Sequence, residues 1–148
     1  MDGHPPDVRE GFRLTEVEPR IFVAHTGPRV DGVIIKAFFE DLRTLALQTH
    51  YALVVDAAEL NDRQVQFASA GTAAIRGMRA LPTPTSTAGV IGCALTIPSF
   101  EVRAITGVVL AASQPHWPTR IVRDRAEALV WCRRWIADLE GRDVPATI

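Results

Sequence analysis

The stretch Tyr51-Ala52-Leu53-Val54-Val55-Asp56-Ala57-Ala58-Glu59-Leu60 decides how the chain is read. The unbroken apolar run before Asp56 has the look of a short strand buried on both faces. It ends at an acid, a turn follows, and a helix is expected from about Arg63. The rest of the chain can be arranged as strands beside this one and helices packed on its sheet.

Working back toward the N-terminus, residues 21–25 (Ile-Phe-Val-Ala-His) read as a second strand. Residues 12–17 alternate apolar and polar, the period of a half-buried strand. Glu18-Pro19-Arg20 is a turn signal between them, so the two strands form an antiparallel hairpin. Asp31 is an N-cap for a helix over residues 32–49. Ile34, Ile35, Phe38, Phe39, Leu42, Leu45 and Ala46 fall on its inner face. Val33 and Leu47 stray to the polar side.

Working forward, Asn61 and Gln64 have capping-box spacing. They open a helix to about Ala80, with Phe67, Gly71, Ala74, Ile75 and Met78 turned inward. Its small residues let it lie close to a neighbour. Residues 88–94 read as another buried strand. Pro98 suits a helix start, with Phe100, Ala104, Ile105, Val108, Ala111 and Ala112 as the inner face. Residues 119–122 form the last strand. Asp124 and Glu127 make a second capping box, and the final helix puts Leu129, Cys132, Trp135, Ile136 and Leu139 inside and ends at Gly141. The order is β-β-α-β-α-β-α-β-α: an α/β fold with one mixed, mostly parallel sheet and an N-terminal hairpin.

With 148 residues, 47% hydrophobic and 22% charged, the chain suits one packed domain. Residues 12–141 are taken as that domain, with a flexible leader (1–11) and a flexible tail (142–148). A net charge of −1 supplies no field for nucleic acid or an anionic membrane. No apolar run reaches the roughly 20 residues of a membrane span, and no signal-peptide pattern opens the chain. A cytoplasmic location is the default expectation. Lys36 is the only lysine among many arginines and alanines, which suggests a GC-rich bacterial genome.

The strand Leu53-Val54-Val55-Asp56 with its helix and the strand Gly89-Val90-Ile91-Gly92 carry a family likeness. So does the ending Ile121-Val122-Arg123-Asp124-Arg125-Ala126-Glu127-Ala128-Leu129-Val130-Trp131. Over residues 12 to 140 these resemble the STAS-like superfamily, the fold of bacterial anti-sigma factor antagonists. The nearer likeness is to small stand-alone bacterial members of unassigned function. The resemblance implies a regulatory module that works through protein contacts. Its surface would be Glu59, Asn61, Asp62, Arg63 and Gln64, with the 94–100 turn as neighbour. In the partner-switching members a phosphorylatable serine follows an aspartate at the start of the helix. Here Asp62 can stand for the aspartate, but Arg63 occupies the serine's place. Ser69, about two turns into the expected helix, is the nearest hydroxyl, so the resemblance does not extend to the phosphoswitch.

No residue stands out as catalytic. Asp56 lacks the acidic pair and the lysine that phosphoryl acceptance would need, and reads as a turn acid. Cys93, near the end of a strand and before a helix start, is weighed as a nucleophile and as a buried thiol; the buried thiol is favoured. Cys93 and Cys132 share no Cys-x-x-Cys or Cys/His spacing, and His25, His50 and His116 share no metal spacing. No metal or cofactor is therefore expected. Phosphate-loop and hydrolase motifs are absent.

A second function class is a carrier of a small apolar, lipid-like ligand, held by Phe38, Phe39, His116 and Trp117. That reading expects a pocket of roughly 300 Å3 or more between helix and sheet. A core plug is the competing role for Trp117. A homodimer contact through Val33, Leu47 or the sheet edge stays open.

Overall fold

The computed structural model describes residues 11–60, 62–97 and 99–143. The elements are β1 (Arg13–Glu18), β2 (Ile21–His25), α1 (Gly32–Ala46), β3 (His50–Asp56), α2 (Phe67–Ala80), β4 (Gly89–Thr96), α3 (Phe100–Ser113), β5 (Thr119–Val122) and α4 (Arg125–Asp143). The order is the one expected. The strands form one five-stranded sheet in chain order, β1-β2-β3-β4-β5. The β1–β2 pair is antiparallel and the other three pairs are parallel.

That sequential order dictates the layers. Each parallel crossover steps in the same direction, and each is right-handed by the usual twist of strand and helix. Successive crossovers therefore lay α1, α2 and α3 on one face. The other face is left to α4. Side chains of β3 divide accordingly. Tyr51 and Leu53 join Phe38, Leu42, Ala46 and Trp117 on the three-helix side. Ala52 and Val54 join Ala94, Ala128 and Cys132 on the α4 side. The central strand is buried on both faces, as its unbroken apolar run requires.

The two faces pack at different depths. On the α4 side the sheet offers Ala52, Gly92 and Ala94, so α4 lies close over β3 and β4. The Cys132 thiol reaches the Leu53 carbonyl at 3.9 Å. Trp135 covers Gly92 so tightly that an added Cβ would fall 2.3 Å from its ring. On the other side aromatic side chains hold the layers apart: Phe12 stacks on Phe38 at 4.4 Å, and Tyr51 donates to the Leu42 carbonyl at 3.1 Å. The small residues of α2 do bring it close to α1, with Gly77 lying under Phe39 and Gly32 against Ser69.

Several local expectations change. Helix α1 ends at Ala46, with Leu47 as its C-cap, rather than at residue 49; Asp31 caps its start by accepting from Ile34 N at 3.0 Å. The helix expected from Arg63 is a short 3-10 turn, Asp62–Gln64, and α2 begins only at Phe67. The cause is a backbone bridge: Val30 N donates to Gln64 O at 2.7 Å and Gln66 N to Val30 O at 2.8 Å, holding this segment extended. Ser69 consequently sits in the first turn of α2, not two turns in. Asn61 and its capping box lie outside the described residues, as do Pro98 and residues 1–10 and 144–148. Helix α4 runs through Gly141 to Asp143.

The inner stripe of α3 is also different. Val102 and Val109 are buried, with Ile105, Thr106 and Leu110 half-buried beside them. Phe100 is 78% exposed and Val108 58% exposed, while Ala104, Ala111 and Ala112 face solvent. This helix is apolar on nearly every side, so periodicity alone offered two stripes, and packing against α2 chose the other one.

At the sheet edge, the Arg133 guanidinium of α4 clamps the Glu18 carboxylate of β1 through two nitrogens, with its Nε 3.0 and 3.1 Å from the two oxygens. The charge-assisted bond to Arg133 holds the Glu18 carboxyl below its ordinary 4.5. A carboxyl lowered on folding stabilises above its unfolded pKa, and the gain is lost as pH falls through the lowered value. Thermal melts of wild type and Glu18→Gln should differ most above pH 4.5 and converge below it, with a small gap because the pair is exposed. A gap that persists unchanged at low pH would assign the effect to something other than this ion pair.

Candidate functional site

Small side chains on α2 create the site. Ala70, Gly71 and Ala74 face the sheet where Leu53, Val55, Cys93 and Leu95 rise from β3 and β4. They are too short to fill the space that the aromatic residues of α1 hold open. The result is a cavity of about 170 Å3. Phe38, Phe39 and Leu42 of α1 wall one side, and Ile105, Thr106, Val109 and Leu110 of α3 the other. Trp117, 8% exposed, and Thr119 line it from the β5 side.

The lining is apolar almost throughout, and among the described residues no charged side chain contributes to it. The lining residues that carry a polar side-chain atom are Cys93, Thr106, Trp117 and Thr119. Thr106 is engaged, its hydroxyl donating to the Val102 carbonyl at 2.7 Å. Cys93 is free and buried, and burial pushes its thiol well above the ordinary range. Of the residues expected to meet a ligand, Phe38, Phe39 and Trp117 come together here. His116 does not; it is exposed on the loop before β5. Of the α3 lining, Ile105 was expected on the inner face, whereas Thr106, Val109 and Leu110, like Thr119, were missed by sequence reading. The signals that pointed here were the apolar cover of α1 with Phe38 and Phe39 and the small-residue run of α2 beside it. At 170 Å3 the space is also smaller than the roughly 300 Å3 expected of a ligand pocket. A second concavity, between α1 and α2, is an outer groove open to solvent, with Lys36, Glu40, Arg43 and Arg76 among its lining residues.

Asp56 belongs to a different cluster, on the α4 side of the sheet at the carboxyl ends of the strands. Its Oδ1 accepts from Ala58 N and from Thr96 Oγ, each at 3.1 Å. Its Oδ2 lies 3.5 Å from His25 Nε2, and Arg125 Nη1 lies 3.4 Å from the same nitrogen. The first of these bonds is the side-chain turn that aspartate favours at a strand exit. Together they join the ends of β2, β3 and β4 to the start of α4. The Thr96 hydroxyl proton is directed at Asp56, and Thr96 itself is buried. The arrangement is that of a clasp, the turn-acid role favoured for Asp56.

The expected contact surface lies at the same end of the sheet. Glu59, Asp62 and Arg63 are exposed, and Gln64 is half-buried with its amide donating to the Pro28 carbonyl at 2.7 Å. Val33 and Leu47 are exposed as expected, but they sit at opposite ends of α1, about 20 Å apart along the axis. They do not form one patch. Trp131 lies under two guanidinium groups, Arg120 at 4.4 Å and Arg134 at 5.0 Å. No group of His, Cys, Asp and Glu among the described residues could hold a metal ion. None of the described helices is long and apolar enough to cross a membrane.

Comparison with family models, with curated proteins and with solved structures finds no match.

Cys93 and Cys132 lie on opposite faces of the sheet, and burial also raises the Cys132 thiol, to about 12. A bulky anionic thiol reagent at pH 8 should therefore label neither in the native protein and both in denaturant. Rapid native labelling of Cys93 would contradict its placement in the core.

Proposed function

We propose that the protein binds a small apolar molecule in the cavity between the sheet and α1, α2 and α3. The cavity itself carries this reading: about 170 Å3 of space with an almost wholly apolar wall. Well-packed cores hold few voids larger than a water molecule. An apolar cavity of about 150 Å3 stays dry and accepts benzene. The occupant on this scale has roughly six to ten non-hydrogen atoms, well short of a lipid chain. Half-buried Phe67, Met78, Ile105 and Leu110 are the parts of α2 and α3 that line the cavity nearest the surface.

Toluene titrated into labelled protein should move amide resonances of Ala74, Cys93 and Leu95 saturably, with a Kd on the order of a millimolar or tighter. Ala74→Leu should fill the space, abolish those shifts, and leave the melting temperature equal or higher. Absent shifts, or shifts that survive Ala74→Leu, would sink the proposal.

A second reading is a STAS-like protein-contact module without the serine phosphoswitch. The observation in its favour is Phe100, 78% exposed at the start of α3, at the same end of the sheet as Glu59 and Asp62. A large exposed ring beside charged loop residues suits a protein interface. If this surface binds a partner, Phe100→Ala and the pair Asp62→Ala with Arg63→Ala should each weaken capture of the same purified partner without lowering the melting temperature. Unchanged capture would remove this surface from consideration.

A further inference from the structure

Thr119 opens β5 and is the Cα partner of Cys93 across the β4–β5 pair. Strand alternation turns Arg120 and Val122 toward α4, where Arg120 covers Trp131 and Val122 joins that core. Thr119 points the other way and lines the cavity. Its Oγ is buried and has no hydrogen-bond partner among the described residues. The other threonine in the wall, Thr106, directs its proton to Val102 O. A buried hydroxyl left unpaired is destabilising, and native structures seldom retain one without a role.

We infer that the Thr119 hydroxyl is the polar anchor of the cavity, and that the ligand is an uncharged ring or short chain bearing a single hydroxyl or carbonyl. This rests on the cavity reading above and narrows it. Among the described residues the wall holds no charged group to balance a carboxylate, an ammonium or a phosphate, so a charged ligand would be desolvated without compensation. A purely hydrocarbon ligand would fit the apolar wall but leave Thr119 unpaired. A molecule with one neutral oxygen satisfies both. Cys93, beside Thr119 in register, adds a weak donor to the same corner.

Toluene and phenol are nearly the same size and differ by a methyl against a hydroxyl, which makes them the probe pair. Wild type should bind phenol at least as tightly as toluene, although phenol is the better hydrated of the two. Thr119→Val, close in shape, should weaken phenol roughly fivefold and leave toluene unchanged or tighter. Without ligand, Thr119→Val should melt at the wild-type temperature or above, since an unpaired hydroxyl is removed. Thr119→Ser, which keeps the hydroxyl, should retain the phenol preference. If neither probe binds, the cavity reading itself fails. If toluene binds but phenol does not, or the phenol-to-toluene ratio survives Thr119→Val, the anchor is overturned and the cavity reading stands. A Thr119→Val protein that melts lower or fails to fold would also overturn it, because the hydroxyl would then be bonded within the fold.

Discussion

Three right-handed crossovers stepping in one direction govern this molecule. Because the strands lie in chain order, with no reversal, every connecting helix falls on the same face. The opposite face then depends on α4, which among the described residues is the only helix outside a crossover. In sheets that wind both ways, ligands collect where the strand order reverses. This sheet has no such point among its parallel strands, and the apolar cavity lies instead between layers.

The two faces solve the packing problem in opposite ways. Ala52, Gly92 and Ala94 let α4 settle close enough for a thiol to touch a strand carbonyl. On the other face, aromatic side chains of α1 set the spacing and the short side chains of α2 leave part of it unfilled. Bulky spacers beside small residues are what produce a void, since each helix must keep one axis while its side chains vary in length. At the carboxyl ends of the strands, Asp56 ties the fold together with bonds that reach His25, Ala58 and Thr96.

Where sequence reading went astray, the reasons are specific. The stretch before α2 has good capping residues, yet Val30 draws its backbone into a bridge that no local pattern announces. On α3, alanines, valines and a phenylalanine surround the helix, so two stripes were equally apolar, and the neighbour α2 decided between them. His25 and Arg125 are a hundred positions apart and meet only because the sheet sets the end of β2 close to the start of α4. Phe38, Phe39 and Trp117 were legible as large apolar groups near a common layer. Thr119 was not, because a threonine opening an edge strand looks the same whether its hydroxyl meets solvent or a cavity.

The residues by themselves determined the element order, the hairpin, the double burial of Tyr51 to Val54 and the inner face of α1. Those follow from period, caps and turns, which act over a few residues and leave a pattern in the chain. Only the tertiary structure decided which stripe of α3 faces inward, where α2 starts, and that a cavity of about 170 Å3 remains beneath α2. Those depend on how long side chains from separate elements meet across a fixed spacing, and no local stretch of sequence contains that distance.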